Sequence, residues 1–253
     1  MQGKFFWYDL MTTDIAAARK FYGEVVGWTA QDSGVSGENY TLFMADGHGR
    51  AGLMTIPPDA AQMGVPPCWT GYIHVDDVGA MAAKIVAEGG KIHRDTVEIP
   101  NVIRFAVMAD PQGAGFIIAT PLSMDAPPLP APGAPGTVGW HELYAADWPA
   151  AFAFYEKLFG WTKADAIDMG PMGTYQLFCT GGPAVGGMCN KGPMPAPSWG
   201  YYFNVPQIDS AMQRVTASGG VIMMGPQQVP GGSWIMHGKD PQGADFKLVA
   251  PQR

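Results

Sequence analysis

The sequence predicts an α+β protein built as two copies of one domain, each copy written as two βαβββ modules. Three observations carry this. A constant offset lays Gly3, Trp7, Leu10, Asp14, Phe21, Tyr22, Gly27 and Trp28 on Gly136, Trp140, Leu143, Asp147, Phe154, Tyr155, Gly160 and Trp161. Within each copy the apolar pattern switches between strand and helix periods. Between the copies lies a stretch rich in proline, residues 122–136, that fits a linker better than any packed element.

The elements follow in order. Phe5 to Met11 is rich in aromatics, as strands are. Asp14 stands where a helix N-cap belongs, and Ile15, Ala18, Phe21, Tyr22 and Val25 recur at helical spacing up to Gly27. The second copy repeats this from Asp147, with Pro149 in the first helical turn, where its missing N–H costs nothing. Past the first helix the match continues with small shifts. Tyr40-Thr-Leu-Phe43 meets Tyr175-Gln-Leu-Phe178, Trp69 meets Trp199, and Tyr72 meets Tyr202. Trp69 to Val75 reads as a strand. Val78, Met81, Ala82, Ile85 and Val86, then Ile208, Ala211, Met212 and Val215, read as helices closed by Gly89-Gly90 and Gly219-Gly220. Asp110-Pro-Gln-Gly113 and Asp240-Pro-Gln-Gly243 are turns by their chemistry, each leading to a closing strand. The domains expected are therefore 1–121 and 137–253, joined by a linker in extended polyproline II. His48, between two glycines, reads as a loop residue, and Pro230-Gly-Gly-Ser-Trp234 as a turn or flap.

Composition narrows the partners. With 47 % apolar and 15 % charged residues the chain can bury a core. A net charge of −7 with no basic run excludes a phosphate-binding surface, so nucleic acid is not an expected partner. No stretch reaches the roughly 20 apolar residues of a membrane span, and Met1 to Leu10 lacks the character of a signal peptide. Three cysteines without a CxxC fit reduced thiols in a cytoplasm. Since each copy has a partner inside the chain, a monomer with an internal pseudo-dimer is expected.

The Asp-x-x-x-Ala-x-x-Phe-Tyr helix, the Gly-Trp after it and the Asp-Pro-x-Gly turn together resemble the vicinal-oxygen-chelate superfamily of glyoxalase, bleomycin-resistance and dioxygenase type, in a two-domain tandem form. The resemblance covers the chain outside the linker. It implies a cupped mixed sheet per domain with helices on the outer face, and a metal held by a His or Gln on the first strand, a His on the fifth and a Glu on the last. Those positions here are Trp7, Thr70 and Ile117, and Trp140, Gly200 and Lys247. None is a metal ligand by type, so no cofactor is expected; a divalent Zn, Ni, Mn or Fe held by other residues is the alternative.

Strand alternation then names the neighbours of the lost ligands. If the first strands are exchanged between copies, as in single-domain relatives, one cup collects Trp140, Glu142, Tyr144, Tyr72 and His74. The other collects Trp7, Asp9, Tyr202, Asn204, Asp245 and Lys247. Two functions are expected from such cups. One is the binding of an aromatic or oxygenated small molecule by Trp7, Asp9, Tyr72, Trp140, Tyr202, Asn204 and Lys247. The other is lyase, isomerase or oxygenase-like catalysis with Glu142 as acid/base, assisted by His74 and Tyr144. The bland reading of the two acids is that they cap backbone or pair with a nearby cation such as Lys247.

Overall fold

The computed structural model describes residues 1–34, 40–123 and 130–253. Most of the proline-rich linker's centre, and with it the expected polyproline conformation, lies outside the described residues. The first copy runs β1 (Phe5–Thr12), α1 (Ile15–Val26), β2 (Thr29–Asp32), β3 (Thr41–Ala45), β4 (His48–Thr55), α2 (Pro58–Gln62), β5 (Cys68–His74), α3 (Val78–Ala87), β6 (Lys91–Ile99), β7 (Ile103–Ala109) and β8 (Gly115–Pro121). The second runs β9 (Val138–Ala145), α4 (Trp148–Phe159), β10 (Thr162–Asp168), β11 (Thr174–Cys179), β12 (Ala184–Asn190), β13 (Ser198–Asn204), α5 (Ile208–Ala217), β14 (Val221–Gln228), β15 (Trp234–Lys239) and β16 (Asp245–Ala250).

The helices begin where the sequence says they should. Asp14 and Asp147 have extended backbones and accept from Ala17 N and Ala150 N, and Gly27 and Gly160 end α1 and α4 in the left-handed region. Asp77 caps α3 in the same way. Val86 departs from the expected core. Val78, Met81, Ala82 and Ile85 fill the buried stripe, and Val86, about 100° further round the helix, is exposed. Helix α2 carried no legible signal, because none of its five residues is buried. His48 is the first residue of β4 and not a loop, and Trp234 opens β15, its ring 5.2 Å from the Arg253 guanidinium.

Two eight-stranded mixed sheets result, in the orders β2-β3-β4-β1-β5-β8-β7-β6 and β10-β11-β12-β9-β13-β16-β15-β14. In each, the pairs β1–β4 and β5–β8, or β9–β12 and β13–β16, are parallel, as a helical crossover requires. Each sheet is made from one copy's strands, whereas the compact units join Trp7–Trp69 to Tyr201–Arg253 and Thr70–Ala126 to His141–Gly200, the combination that an exchange of first strands expects. Trp7 and Asp9 share a sheet with Tyr72 and His74; Trp140, Glu142 and Tyr144 share one with Tyr202, Asn204 and Lys247.

By packing, the chain divides differently, into one compact unit of Met1–Phe6, Thr70–Ala126 and His141–Gly200 and another of Trp7–Trp69, Pro127–Trp140 and Tyr201–Arg253. Each core holds the same buried chain of donors. In the second unit Trp69 Nε1 donates to the Tyr22 hydroxyl at 2.8 Å, which donates to Asp240 Oδ2 at 3.1 Å. In the first, Trp199 donates to Tyr155 at 3.0 Å and Tyr155 to Asp110 at 3.2 Å. The other oxygen of each Asp accepts two backbone N–H groups, that of the Gln in its Asp-Pro-Gln-Gly turn and that of the Ala after it. The Gly-Trp pairs work in parallel: Trp28 donates to Gly136 O and Trp161 to Gly3 O. These repeated residues are structural.

Candidate functional site

Along β1, Leu10 and Thr12 are fully buried in the core, so Trp7, Asp9 and Met11 belong to the other strand face. Asp9 is nevertheless only 3 % exposed. Its Oδ1 accepts from the Tyr40 hydroxyl at 2.6 Å and from Trp7 Nε1 at 2.9 Å, and the same indole N–H lies 2.8 Å from the Tyr40 oxygen. Burial raises the Tyr40 phenol well above its ordinary pKa, with the Asp9 charge adding to the effect. Gly52, paired with Asp9 across to β4, makes room for this corner. A Cβ there would stand 1.8 Å from the Tyr40 hydroxyl and 2.3 Å from Asp9 Oδ1. Trp7 is half-buried, and its ring is backed by Gly49, whose Cβ would stand 3.1 Å from Cη2.

The second copy rebuilds the corner. Glu142, 6 % exposed, replaces Asp9; Gly187 pairs with it in register, and Tyr175 lies over that glycine, 2.1 Å from where a Cβ would be. Tyr144, two residues on, hydrogen-bonds the Glu142 carboxylate. Its phenol is pushed far above the usual range, first by burial and then by the Glu142 charge and that bond, with Cys189 and Tyr175 contributing. Tyr40 and Tyr175 were missed as site residues by the sequence reading. Their signal was present in the repeat itself, which keeps a tyrosine and the facing glycine in both copies.

A further polar row crosses β13, β16 and β15. Tyr202 pairs with Lys247 in register, and Lys247 with His237. The Tyr202 hydroxyl lies 2.7 Å from His237 Nε2, and Lys247 Nζ stands 5.0 Å from the Tyr202 ring centroid. Lys247 is 7 % exposed, and its neighbours Phe246 and Leu248 are core residues, so the lysine lies on the face turned away from that core. In the first copy the matching row is Tyr72, Ile117 and Val107, with no charge and no imidazole.

The remaining predicted residues are placed as follows. Tyr72 packs among Phe6 and Phe105, with ring centroids 6.2 and 6.5 Å away. His74 lies beside Phe6, with Nδ1 3.9 Å from Asp76 Oδ1; burial lowers its pKa, aided by the N-terminal charge, while Asp76 opposes the shift. It belongs to the other sheet from Glu142. Asn204 donates to Thr137 Oγ1 at 2.9 Å, holding the start of β9. Asp245 is exposed and pairs with Lys239 at 2.8 Å, away from the polar row. Trp140 is half-buried on β9. His141 faces the core, stacked 4.3 Å from Phe5, with Nδ1 2.8 Å from Val185 O.

A divalent metal does not fit the positions that the fold assigns it. Trp7 and Trp140 offer only indole N–H donors, Ile117 and Gly200 no side-chain donor, Thr70 a hydroxyl, and Lys247 an ammonium that repels a cation. Among the described residues, no group of three or more His, Cys, Asp or Glu converges.

Tandem βαβββ modules, two mixed eight-stranded sheets and a polar strand face in each copy define a protein of glyoxalase type. The chain belongs to the Glyoxalase/Bleomycin resistance protein/Dioxygenase superfamily, whose model matches residues 4–118 and 137–248. It is 34 % identical over 262 residues to "Putative glyoxylase CFP32" of Mycobacterium tuberculosis, spanning 99 % of this chain and 95 % of that protein. To "Anthracycline biosynthesis protein DnrV" of Streptomyces peucetius it is 32 % identical over 258 residues, spanning 96 % and 91 %. Among solved structures, the Mn(II)-bound glyoxalase from Novosphingobium aromaticivorans matches with a TM-score of 0.69 at 16 % identity, covering 99 % of this chain and 82 % of that one. The 2,3-dioxygenase LapB from Pseudomonas sp. KL28 matches with 0.65 at 12 %, covering 99 % and 93 %. At such identities the structures speak for the fold alone. No helix among the described residues is long and apolar enough to cross a membrane.

Proposed function

We propose that the chain is a small-molecule-binding protein of this family that takes an oxygenated aromatic ligand on the strand face of each copy without the family's metal, as a monomer in the cytoplasm. The observation that carries the reading is the fixed indole of Trp7. Its N–H is shared between Asp9 Oδ1 and the Tyr40 hydroxyl oxygen, Gly49 lies against its ring, and the residue stays part-exposed. A planar ligand therefore finds a stacking surface already ordered, with a buried carboxylate corner beside it. Trp140 takes the same position in the second copy. The ligand class is supported by the relative named for anthracycline biosynthesis, since anthracyclines are fused, oxygenated aromatics. Titration with a hydroxyanthraquinone, followed by tryptophan quenching, tests it. Trp7→Leu is expected to weaken binding about tenfold, the worth of one lost stacking contact of about 1.4 kcal/mol. A wild-type protein that ignores the dye overturns the reading.

The Glu142–Tyr144 pair favours catalysis as a second reading. A buried carboxylate bonded to a phenol is a proton-transfer pair, with His74 the third residue proposed for it from sequence. In this reading Glu142→Gln abolishes turnover of a bound ligand while leaving its affinity within about twofold. Equal loss of affinity and turnover would make Glu142 a binding anchor only.

A further inference from the structure

We propose that His74 is the hydrogen-bond acceptor of a ligand site in the compact unit of Met1–Phe6, Thr70–Ala126 and His141–Gly200: its Nε2 lone pair receives a hydroxyl of the bound molecule. The inference rests on the proposed small-molecule function and specifies which chemical group of the ligand this unit recognises.

Strand alternation places the residue. Ile73 and Val75 are fully buried in the core, so Tyr72 and His74 lie on the other face of β5. Their surroundings are aromatic and apolar. The Phe6 ring centroid stands 6.0 Å from the imidazole and 6.2 Å from Tyr72, and the register continues from His74 to Ala119 and Phe105. Glu142 and Tyr144 belong to the same compact unit.

The imidazole is left without the bond that the fold makes at the matching place. Its Nδ1 is buried and has no hydrogen-bond partner among the described residues, and Asp76 Oδ1, 3.9 Å away, is too far for one. Buried polar atoms are paired as a rule, so an exception calls for a reason. In the second copy Asn204 makes the same two backbone bonds to Gly136 and Thr137 that His74 makes to Gly3 and Lys4. Asn204 also ties its side chain to Thr137 Oγ1 at 2.9 Å, whereas Lys4 offers His74 no side-chain acceptor. The strand pairing therefore does not account for an imidazole here.

The surroundings also decide which nitrogen carries the proton. An Nδ1–H is attracted by the Asp76 carboxylate, and an Nδ1 lone pair is repelled by it. The proton sits on Nδ1 and the lone pair on Nε2. Burial first, and the N-terminal charge second, keep the ring neutral at physiological pH against the pull of Asp76, so the lone pair persists. A neutral acceptor selects a ligand that brings the hydrogen. A phenol or enol hydroxyl fits; an ether or a carboxylate at the same place does not.

Naphthol and its methyl ether, which share a ring system and differ in one donor, test this on the chain labelled with ¹⁵N-histidine. Imidazole ¹⁵N spectra separate a protonated nitrogen from a lone-pair one, and loss of the His74 signals in His74→Phe identifies them. The wild type is expected to show the Nδ1–H tautomer, with the Nε2 signal moving towards the protonated range on adding naphthol and far less with the ether. His74→Phe, which keeps a ring beside Phe6, should bind naphthol about tenfold more weakly, the worth of one hydrogen bond, and the ether as the wild type does. His74→Gln, which returns an acceptor oxygen, should recover part of the loss. A proton found on Nε2, naphthol that binds no better than its ether, or an Nε2 signal that ignores bound naphthol overturns the acceptor site. If the hydroxyanthraquinone still binds, the proposed function stands; a wild-type chain that binds neither it nor naphthol overturns both. Circular dichroism of each variant separates loss of the site from loss of the fold.

Discussion

At the residue scale, His141 shows one repeat position put to two uses. The first copy has Tyr8 there and the second an imidazole, both buried. Burial brings His141 down to about 4, against the pull of its bond to Val185 O. Since that carbonyl can only accept, Nδ1 carries the proton and the ring is neutral at physiological pH. The unfolded chain protonates this histidine near 6.5, the folded chain only near 4. Between those values the unfolded state binds more protons, so its contribution to stability is present above pH 6.5 and is lost as pH falls towards 4, by about 3 kcal/mol in all. His141→Phe keeps the stacking on Phe5 and removes the titration. Urea midpoints compared at pH 4.5 and 7 should differ less for the variant than for the wild type; equal slopes would mean that His141 ionises normally.

At the scale of elements, the Trp–Tyr–Asp chains explain why the helices and turns of the two copies match so closely. Tyr22 on α1 bonds the Asp240 turn of the other copy, and Tyr155 on α4 bonds the Asp110 turn. Tyr22→Phe removes one hydroxyl but strands two buried groups, Trp69 Nε1 and Asp240 Oδ2, at a cost of about 2–4 kcal/mol. Tyr155→Phe should cost about the same, and the double variant their sum, because the two chains share no partner. A free-energy cycle from chemical denaturation checks both values. These elements were legible in the sequence because their signals are local: Asp14 and Asp147 as caps, glycines as stops, apolar residues at helical spacing. What was not legible depended on register. Tyr202 and His237 meet only because β16 places Lys247 opposite both, and no spacing within one strand carries that information. The corner of Asp9, Tyr40 and Gly52 was half-visible, since the repeat marked Tyr40 and strand alternation marked Asp9, but nothing marked Gly52 or showed that a side chain occupies the space of its missing Cβ. The exchange of first strands was inferred from single-domain relatives, where the two copies are separate chains. In this chain β1 and β9 each sit in the sheet of their own copy, while the compact units still group Trp7 and Asp9 with Tyr202 and Lys247, and Glu142 and Tyr144 with Tyr72 and His74.

At the scale of the whole molecule, the duplication keeps the core and lets the strand faces diverge. Both units retain a buried aspartate at the same turn, while the polar side chains become Asp9 in one copy and Glu142 with Lys247 and His237 in the other. The shared aspartates leave a signature in the acid stability of the full chain. Asp110 and Asp240 are both raised above the ordinary carboxylate value, chiefly by burial, although backbone N–H donors and a tyrosine hydroxyl work against the rise. A raised carboxylate means that the folded state holds its proton more tightly than the unfolded state. That contribution is fully present below the unfolded pKa of about 3.8 and is lost as pH rises through the folded value, opposite in sign to the contribution of His141. Asn at either position keeps an oxygen for the backbone donors of the turn and carries no charge to bury. It also alters the bond to the tyrosine, a cost that does not vary with pH. Whatever that fixed cost, the stability of Asp110→Asn and Asp240→Asn measured against wild type should improve from pH 3.5 to pH 7, and the double variant should show the larger change. A gap that stays constant over this range would mean that the turn's donors offset burial and hold both carboxylates at their ordinary value.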